Sequence, residues 1–195
     1  MNRIEIIQSY INKYGYKNYL EIGVQAGHCF RAIQCANKTG VDPDPTSAAT
    51  IHKTSDEFFA SLKDITRYDC IFIDGLHHSD QVYKDIKNAL YYLAEGGTII
   101  MHDCKPTTEF MQRIPLTTQV EWTGDTWKAY VKVRTEREDL EMFVVDTDWG
   151  CGVIRAGKQE KLVIPSGVEL TYANFEKYHA EWLNLISVEQ FKAKL

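Results

Sequence analysis

Two short stretches hold much of the side-chain chemistry in this sequence: Asp74-Gly75-Leu76-His77 and His102-Asp103. Each follows an apolar run, Cys70-Ile71-Phe72-Ile73 before the first and Thr98-Ile99-Ile100-Met101 before the second. Runs of that kind suit strands covered on both faces. Adjacent parallel strands end side by side, so Asp74, His102 and Asp103 are expected at one mouth. Oxygen ligands from Asp74 and Asp103 suit a hard cation such as Mg2+, which keeps several waters for a substrate to replace. With a pKa near about 6.5, His77 is suited to proton removal at neutral pH. His78 offers the same chemistry one residue on.

A third stretch, Glu21-Ile22-Gly23-Val24-Gln25-Ala26-Gly27, has the look of a ligand-binding turn. Gly23 allows a sharp bend at a strand's carboxyl end and close approach of a ligand. The spacing is not the G-x-G-x-x-G that brings amides to a pyrophosphate. An acidic residue before the first glycine suits a cofactor bearing an ammonium and a sulfonium better than one bearing phosphates. Asp42 follows Gly23 by about 20 residues, where such folds place a carboxylate on ribose hydroxyls; an ordinary Asp-Pro turn is the alternative, and the glycine turn before it favours the ribose role.

The elements that position these residues follow from periodicity. Ile4, Ile7 and Ile11 share a helical face that ends at Gly15. Residues 19–22 read as a strand, with a short helix after Gly27 turning Phe30 and Ile33 inward, and a second strand ends at Val41. Residues 50–54 are expected to form a third strand, with Ser55 or Asp56 capping a helix through Leu62. The apolar runs 70–73 and 98–101 are then the fourth and fifth strands. Residues 79–93 form a helix between them, closed by Gly96-Gly97. A helix over 125–137 and an antiparallel edge pair, 141–145 with 152–155, come next. A single amphipathic helix over 171–186 ends the chain. This alternation predicts a doubly wound, mostly parallel α/β sheet in three αβα layers with an antiparallel edge. Residues 1–160 are expected to form the domain and 161–195 a helical extension packed on it or on a partner.

Composition narrows the function. The net charge of −5, with no compact Lys/Arg run, argues against nucleic acid as ligand. No run of about 18 apolar residues predicts a membrane span, and the start lacks the pattern of a signal peptide. The five cysteines, Cys29, Cys35, Cys70, Cys104 and Cys151, show no metal-finger spacing. An odd count suits reduced thiols in a cytoplasmic protein. Trp122, Trp127, Tyr130 and Trp149 are candidates for pocket walls or for packing.

Taken in order, these motifs resemble the class I S-adenosylmethionine-dependent methyltransferases. The resemblance is greatest to the small-molecule O-methyltransferase branch with Phe72-Ile73-Asp74-Gly75-Leu76-His77, then Gly96-Gly97, then Ile100-Met101-His102-Asp103. It spans about residues 18 to 104. Gly124-Asp125-Thr126-Trp127-Lys128 resembles a further segment of that branch. The resemblance implies that Gly23 and Gly27 hold the methionine part of the cofactor and that Glu21 faces its ammonium. It further implies that Asp42 binds the ribose, Ser55 and Asp56 the adenine, and that Asp74 borders the cofactor. It makes His77 the general base beside Asp74 and gives a metal set of Asp74, His102 and Asp103. The histidine departs from the family pattern, because imidazole is a poor Mg2+ ligand and suits transition metals. The implied reaction is O-methylation of a small-molecule or sugar hydroxyl. A non-catalytic subunit and a nicotinamide-dependent oxidoreductase are the alternatives, the latter weakened by the missing phosphate-binding glycines. The short chain has no obvious lid domain, which leaves room for a homo-oligomer in which a second subunit completes the acceptor pocket.

Overall fold

A computed structural model describes residues 1–116 and 121–195. Seven strands form one sheet in the order β2-β1-β3-β4-β6-β5-β7. They are β1 (Asn18–Ile22), β2 (Asn37–Val41), β3 (Tyr68–Ile73), β4 (Leu93–Met101), β5 (Leu140–Val145), β6 (Cys151–Ala156) and β7 (Leu185–Ile186). β2, β1, β3 and β4 run parallel, and β6 is antiparallel to both β4 and β5. β3 joins the sheet on the side of β1 away from β2, so the order reverses between β1 and β3. Open α/β sheets form their ligand crevice at such a reversal, beyond the strands' carboxyl ends.

Alternation along the strands makes the three layers. On β3, Ile71 and Ile73 face one side with α3 (Ser55–Ala60), α4 (Ser79–Tyr92), α5 (Thr126–Glu136) and α6 (Tyr172–Trp182). Cys70 and Phe72 face the other, with α1 (Arg3–Tyr14), α2 (His28–Ala32) and α7 (Val188–Lys194). The expected three-layer, doubly wound architecture is what the chain adopts.

Four local expectations change. Residues 50–54 do not form a third strand. Ile51 makes a single bridge to Val41, and the Gly40 carbonyl takes the amides of both Thr50 and Ile51, so the segment hooks over the end of β2. Thr54, not Ser55 or Asp56, caps α3, through a capping box with Glu57 that the T-x-x-E spacing encodes. Asp74 and His102-Asp103 therefore follow the third and fourth strands. Gly96-Gly97 do not end the helix but lie inside β4, within the irregularity where the pairing shifts from Tyr68–Leu93 to Cys70–Thr98. The tail is not one helix: Asn184, at φ 47, turns the chain after α6 so that β7 pairs with β5, and Ser187 then caps α7. Asparagine accepts the left-handed conformation more readily than most residues.

Candidate functional site

The crevice at the β1/β3 reversal contains two chambers, about 800 and 500 Å3, that share Gly23, Gln25, Ala26 and Asp74 as a common wall. Gly23 is dictated by close approach: at φ 88, a Cβ there would lie 2.1 Å from the Asp74 carbonyl oxygen. Only glycine lets the end of β1 lie against the end of β3 in this way. Gly27, at φ 77, starts α2 and would press a Cβ to 2.6 Å from that of Ala48.

The larger chamber is the Asp42 side. Asp42 is buried, one oxygen accepting the Gln25 amide at 2.8 Å and the other the Asp44 amide at 2.9 Å. The carboxylate thus braces the glycine turn while lining the chamber with Pro43, Ser55 and Asp56. Gln81 of α4 joins that wall, its amide nitrogen within 3.1 Å of Ser55 Oγ, Asp56 Oδ1 and Asp85 Oδ1. Asp56 is exposed and pairs with Lys84 at 3.4 Å. Asp85 lies behind, almost wholly buried, and burial pushes its carboxyl up to about 6. Neither Gln81 nor Asp85 stands out in the sequence, where both read as polar positions of an amphipathic helix.

The smaller chamber is lined by the charged cluster. Glu21 is buried there, accepts the Tyr19 hydroxyl, and is pushed up to about 7 by burial. Asp74 Oδ1 lies 3.4 Å from both His77 Nε2 and His102 Nδ1. Burial alone would raise the Asp74 carboxyl, but the two imidazoles outweigh it and hold the group well below the usual range. Asp103, at φ 58, turns its carboxylate back so that Oδ1 is 3.1 Å from His102 Nδ1 and Oδ2 is 3.3 Å from His77 Nδ1. Non-glycine residues in that conformation cluster at functional sites. For His77, burial favours the neutral ring, yet the bond to Asp74 and the charge of Asp103 prevail and raise its pKa.

His77 is held on several sides by residues 122–125. Its Nδ1 lies 3.1 Å from the Trp122 carbonyl and its ring stacks on Trp122 at 5.1 Å. The Asp125 amide donates to the His77 carbonyl, and the Asp125 carboxylate accepts both the amide and the hydroxyl of Ser79. This gives the Gly124–Lys128 segment a purpose: it fixes the turn that carries the histidine. His78 lies against the outer edge of Trp122, and is absent from the chamber wall. Trp122 and Trp149 line the chamber, whereas Trp127 and Tyr130 are core residues.

The donors that could hold a metal do converge. Asp74, His102 and Asp103 offer one atom each within 4.8 Å of one another. The distances of 3.1 and 3.4 Å from His102 Nδ1 to the two carboxylates match neighbouring ligands of an ion bound at about 2.1 Å, which stand roughly 3 Å apart. His102 is 3% exposed. Although three carboxylates lie within 3.4 Å of its ring, neither nitrogen makes a hydrogen bond of proper geometry. Burial would keep the ring neutral, but Asp103, Asp148 and Asp74 push it up to about 11. Charge therefore favours imidazolium, while the unmet bonding geometry fits a ligand whose Nδ1 proton a cation displaces. The residues fit a divalent metal.

Two members of the cluster escaped the sequence reading. Arg3, from the first turn of α1, donates to Asp74 Oδ2 at 2.9 Å and grips Asp148 through Nε and Nη2 at 3.0 Å each. Asp148, in the turn between β5 and β6, lies 3.4 Å from His102 Nε2. A basic residue in a helix's first turn opposes the macrodipole, the one faint signal for Arg3. Asp148 looks like ordinary turn chemistry.

Residues 20–104 match the family model of a methyltransferase domain. No curated protein sequence matches the chain. Among solved structures, a candidate O-methyltransferase from Klebsiella pneumoniae is similar at 15% identity and a TM-score of 0.62, covering 80% of each chain. An O-methyltransferase from Bacillus cereus in complex with SAH, 15% identical, has a TM-score of 0.59 over 78% of this chain and 79% of its own. The O-methyltransferase TomG of Streptomyces achromogenes, involved in tomaymycin synthesis and solved with SAM, is 12% identical. Its TM-score is 0.58 over 79% of each chain. At these identities the likeness shows a shared fold, the Rossmann-like fold of class I methyltransferases.

Proposed function

We propose that this chain, a methyltransferase through its residues 20–104, transfers the methyl group of S-adenosylmethionine to a hydroxyl of a small molecule or sugar. The observation that carries this reading is the pair of chambers joined at Gly23 and Asp74, one holding Asp42 and the other His77. In the larger, the lone pairs that Asp42 does not give to Gln25 and Asp44 receive the ribose hydroxyls, and Ser55 and Asp56 border the adenine. Gly23 and Gly27 accommodate the methionine part. Glu21, which titrates near neutrality, meets the ammonium more strongly as it ionises.

The sulfonium supplies an electrophilic methyl carbon, and a divalent ion, when bound by Asp74, His102 and Asp103, would lower the proton affinity of the acceptor hydroxyl. His77 takes that proton. Its Nδ1 hydrogen is assigned to the Trp122 carbonyl from the bonding pattern, which leaves the Nε2 lone pair beside Asp74 to receive it. Asp74 then balances the imidazolium. The carbon–sulfur bond breaks as the carbon–oxygen bond forms, and the proton lost by the acceptor rests on His77. Trp122 and Trp149 wall the acceptor side and restrict water. Alignment of this kind can account for much of a methyl-transfer rate.

The catalytic unit is assigned to residues 1–160, with 161–195 packed on it through β7 and the buried Phe191. The five free cysteines suit a reducing, cytoplasmic setting. Among the described residues no helix is long and apolar enough to cross a membrane.

Calorimetry with S-adenosylhomocysteine tests the reading. Saturable binding is expected, weakened about 10- to 100-fold in Asp42→Ala by loss of charge-assisted hydrogen bonds. Absence of any binding to the unaltered protein would falsify it.

A further inference from the structure

Asp148 has no role in the proton transfer, yet it is held more elaborately than any other carboxylate of the cluster. It sits in a turn where Asp148 and Trp149 have φ of 50 and 55 in succession. Consecutive left-handed residues of this kind cost roughly 1 kcal/mol or more each, so the surroundings must impose them. Cys104 and Lys105, just past β4, do so by donating their amides to the carbonyls of Gly150 and Trp149 at 3.0 and 2.7 Å. Arg3 completes the clasp: its backbone amide and Nε reach Asp148 Oδ2, and its Nη2 reaches Oδ1. The remaining arm of the same guanidinium, Nη1, takes Asp74 Oδ2.

Between these anchored carboxylates lies the His102 ring. Nε2 faces Asp148 Oδ1, while Nδ1 faces Asp74 Oδ1 and Asp103 Oδ1. We propose that Arg3 and Asp148 are positioning residues for a divalent ion at Asp74, His102 and Asp103: Asp148, 3.4 Å from Nε2, is placed to accept the Nε2 proton when an ion on the Nδ1 side draws the ring into line, so that the Nδ1 lone pair faces the ion. The proposal rests on the metal reading given above and adds the residues that tune it. A ligating imidazole ordinarily gives its second N–H to a carboxylate, which fixes tautomer and ring orientation. By occupying Asp74 Oδ2, Arg3 also leaves Oδ1 as the oxygen that turns toward His102. The ring also borders a second donor group, His102 with Asp148 and Cys151; Arg3 neutralises both Asp148 oxygens there, whereas it leaves Asp74 Oδ1 and the Asp103 carboxylate to the Nδ1 side. A nitrogen ligand among oxygens selects Mn2+, Fe2+, Co2+ or Zn2+ over Mg2+.

The test is a titration of the metal-free full chain with Mn2+ alone, read by the electron paramagnetic resonance of the free ion, with no methyl donor or acceptor present. The unaltered protein is expected to bind Mn2+, and excess Mg2+ to displace it poorly. Asp148→Asn keeps a residue that tolerates positive φ and is expected to weaken binding about 10- to 100-fold. Arg3→Gln is expected to act in the same direction. Arg3→Lys should fall between, since lysine keeps the charge but lacks the planar fork that spans two carboxylates. Unchanged Mn2+ affinity in a folded Asp148→Asn, judged by circular dichroism, overturns the positioning role and leaves the metal site standing. No Mn2+ binding by the unaltered protein overturns both. If Asp148→Asn does not fold, Arg3→Gln decides the matter by the same measurement.

Discussion

The two chambers that meet at Gly23 and Asp74 are built in opposite ways. The Asp42 chamber draws its wall from residues 22 to 81, and its key carboxylate is fixed by the amides of Gln25 and Asp44, near neighbours in the chain. The His77 chamber draws on residues 2 to 149, and its cluster is assembled from α1, the ends of β3 and β4, the segment before α5 and the β5–β6 turn. The first depends on local turn geometry and tolerates exposure, as at Asp56. The second brings three aspartates, two histidines and an arginine together where His102 and Asp103 are buried and the others half-buried, so that each charge depends on the others being in place. A binding pocket can be local. A cluster of this charge density cannot.

The division predicts where damage should appear. His77→Ala should lower kcat about 10²- to 10⁴-fold, the usual range for loss of a general base. S-adenosylhomocysteine affinity should stay within a few-fold. Single-turnover methyl transfer to an acceptor drawn from a panel of phenols and sugars, with calorimetry alongside, separates the two; an equal loss of both would erase the distinction between the chambers. Gly23→Ala strikes the shared wall, and with a Cβ driven into the Asp74 carbonyl it should cost about 2–4 kcal/mol of stability. Urea unfolding measures this, and a near-neutral result would mean that the β1/β3 junction is softer than described. The Asp42→Ala effect on cofactor affinity is expected to be smaller and to leave the pH dependence of turnover in place.

The smallest effect belongs to Asp85, behind the Asp42 chamber. Its carboxyl titrates near 6 in the folded chain, against about 3.9 when unfolded. Between those values the folded state binds more protons, so this group's contribution to stability falls as pH rises from about 4 to 6 and is level above. The total is about 1–3 kcal/mol. Asp85→Asn should flatten that slope in unfolding experiments across the same window. An unchanged slope would assign the pH dependence to the charged chamber.

Much of the binding half was legible in the sequence. Glu21, Gly23, Gly27 and Asp42 fall at a strand end, a turn and the end of the next strand, and they line the two chambers. Asp74, His77, His102 and Asp103 were also visible, because each follows an apolar run and strand ends converge. What escaped was the segment 50–54, where hydrogen bonds to Gly40 replaced a strand, and the tail, where Asn184 broke a helical pattern into helix, strand and helix. In both places a tertiary partner overrode local propensity.

The sequence by itself determined the doubly wound sheet, the glycine turn with its brace Asp42, and the acid–histidine pairs at two strand ends. These depend on short-range chemistry: a period of two, a residue without a side chain, a carboxylate within reach of nearby amides. Only the tertiary structure decided what surrounds His102. Arg3 and Asp148 lie 145 positions apart in the chain, and no spacing rule links a helix start to a hairpin turn. Packing of α1 on one face of the sheet sets its first turn beside the strands' carboxyl ends, and partial burial then converts two unremarkable surface-type residues into the frame of a charged site.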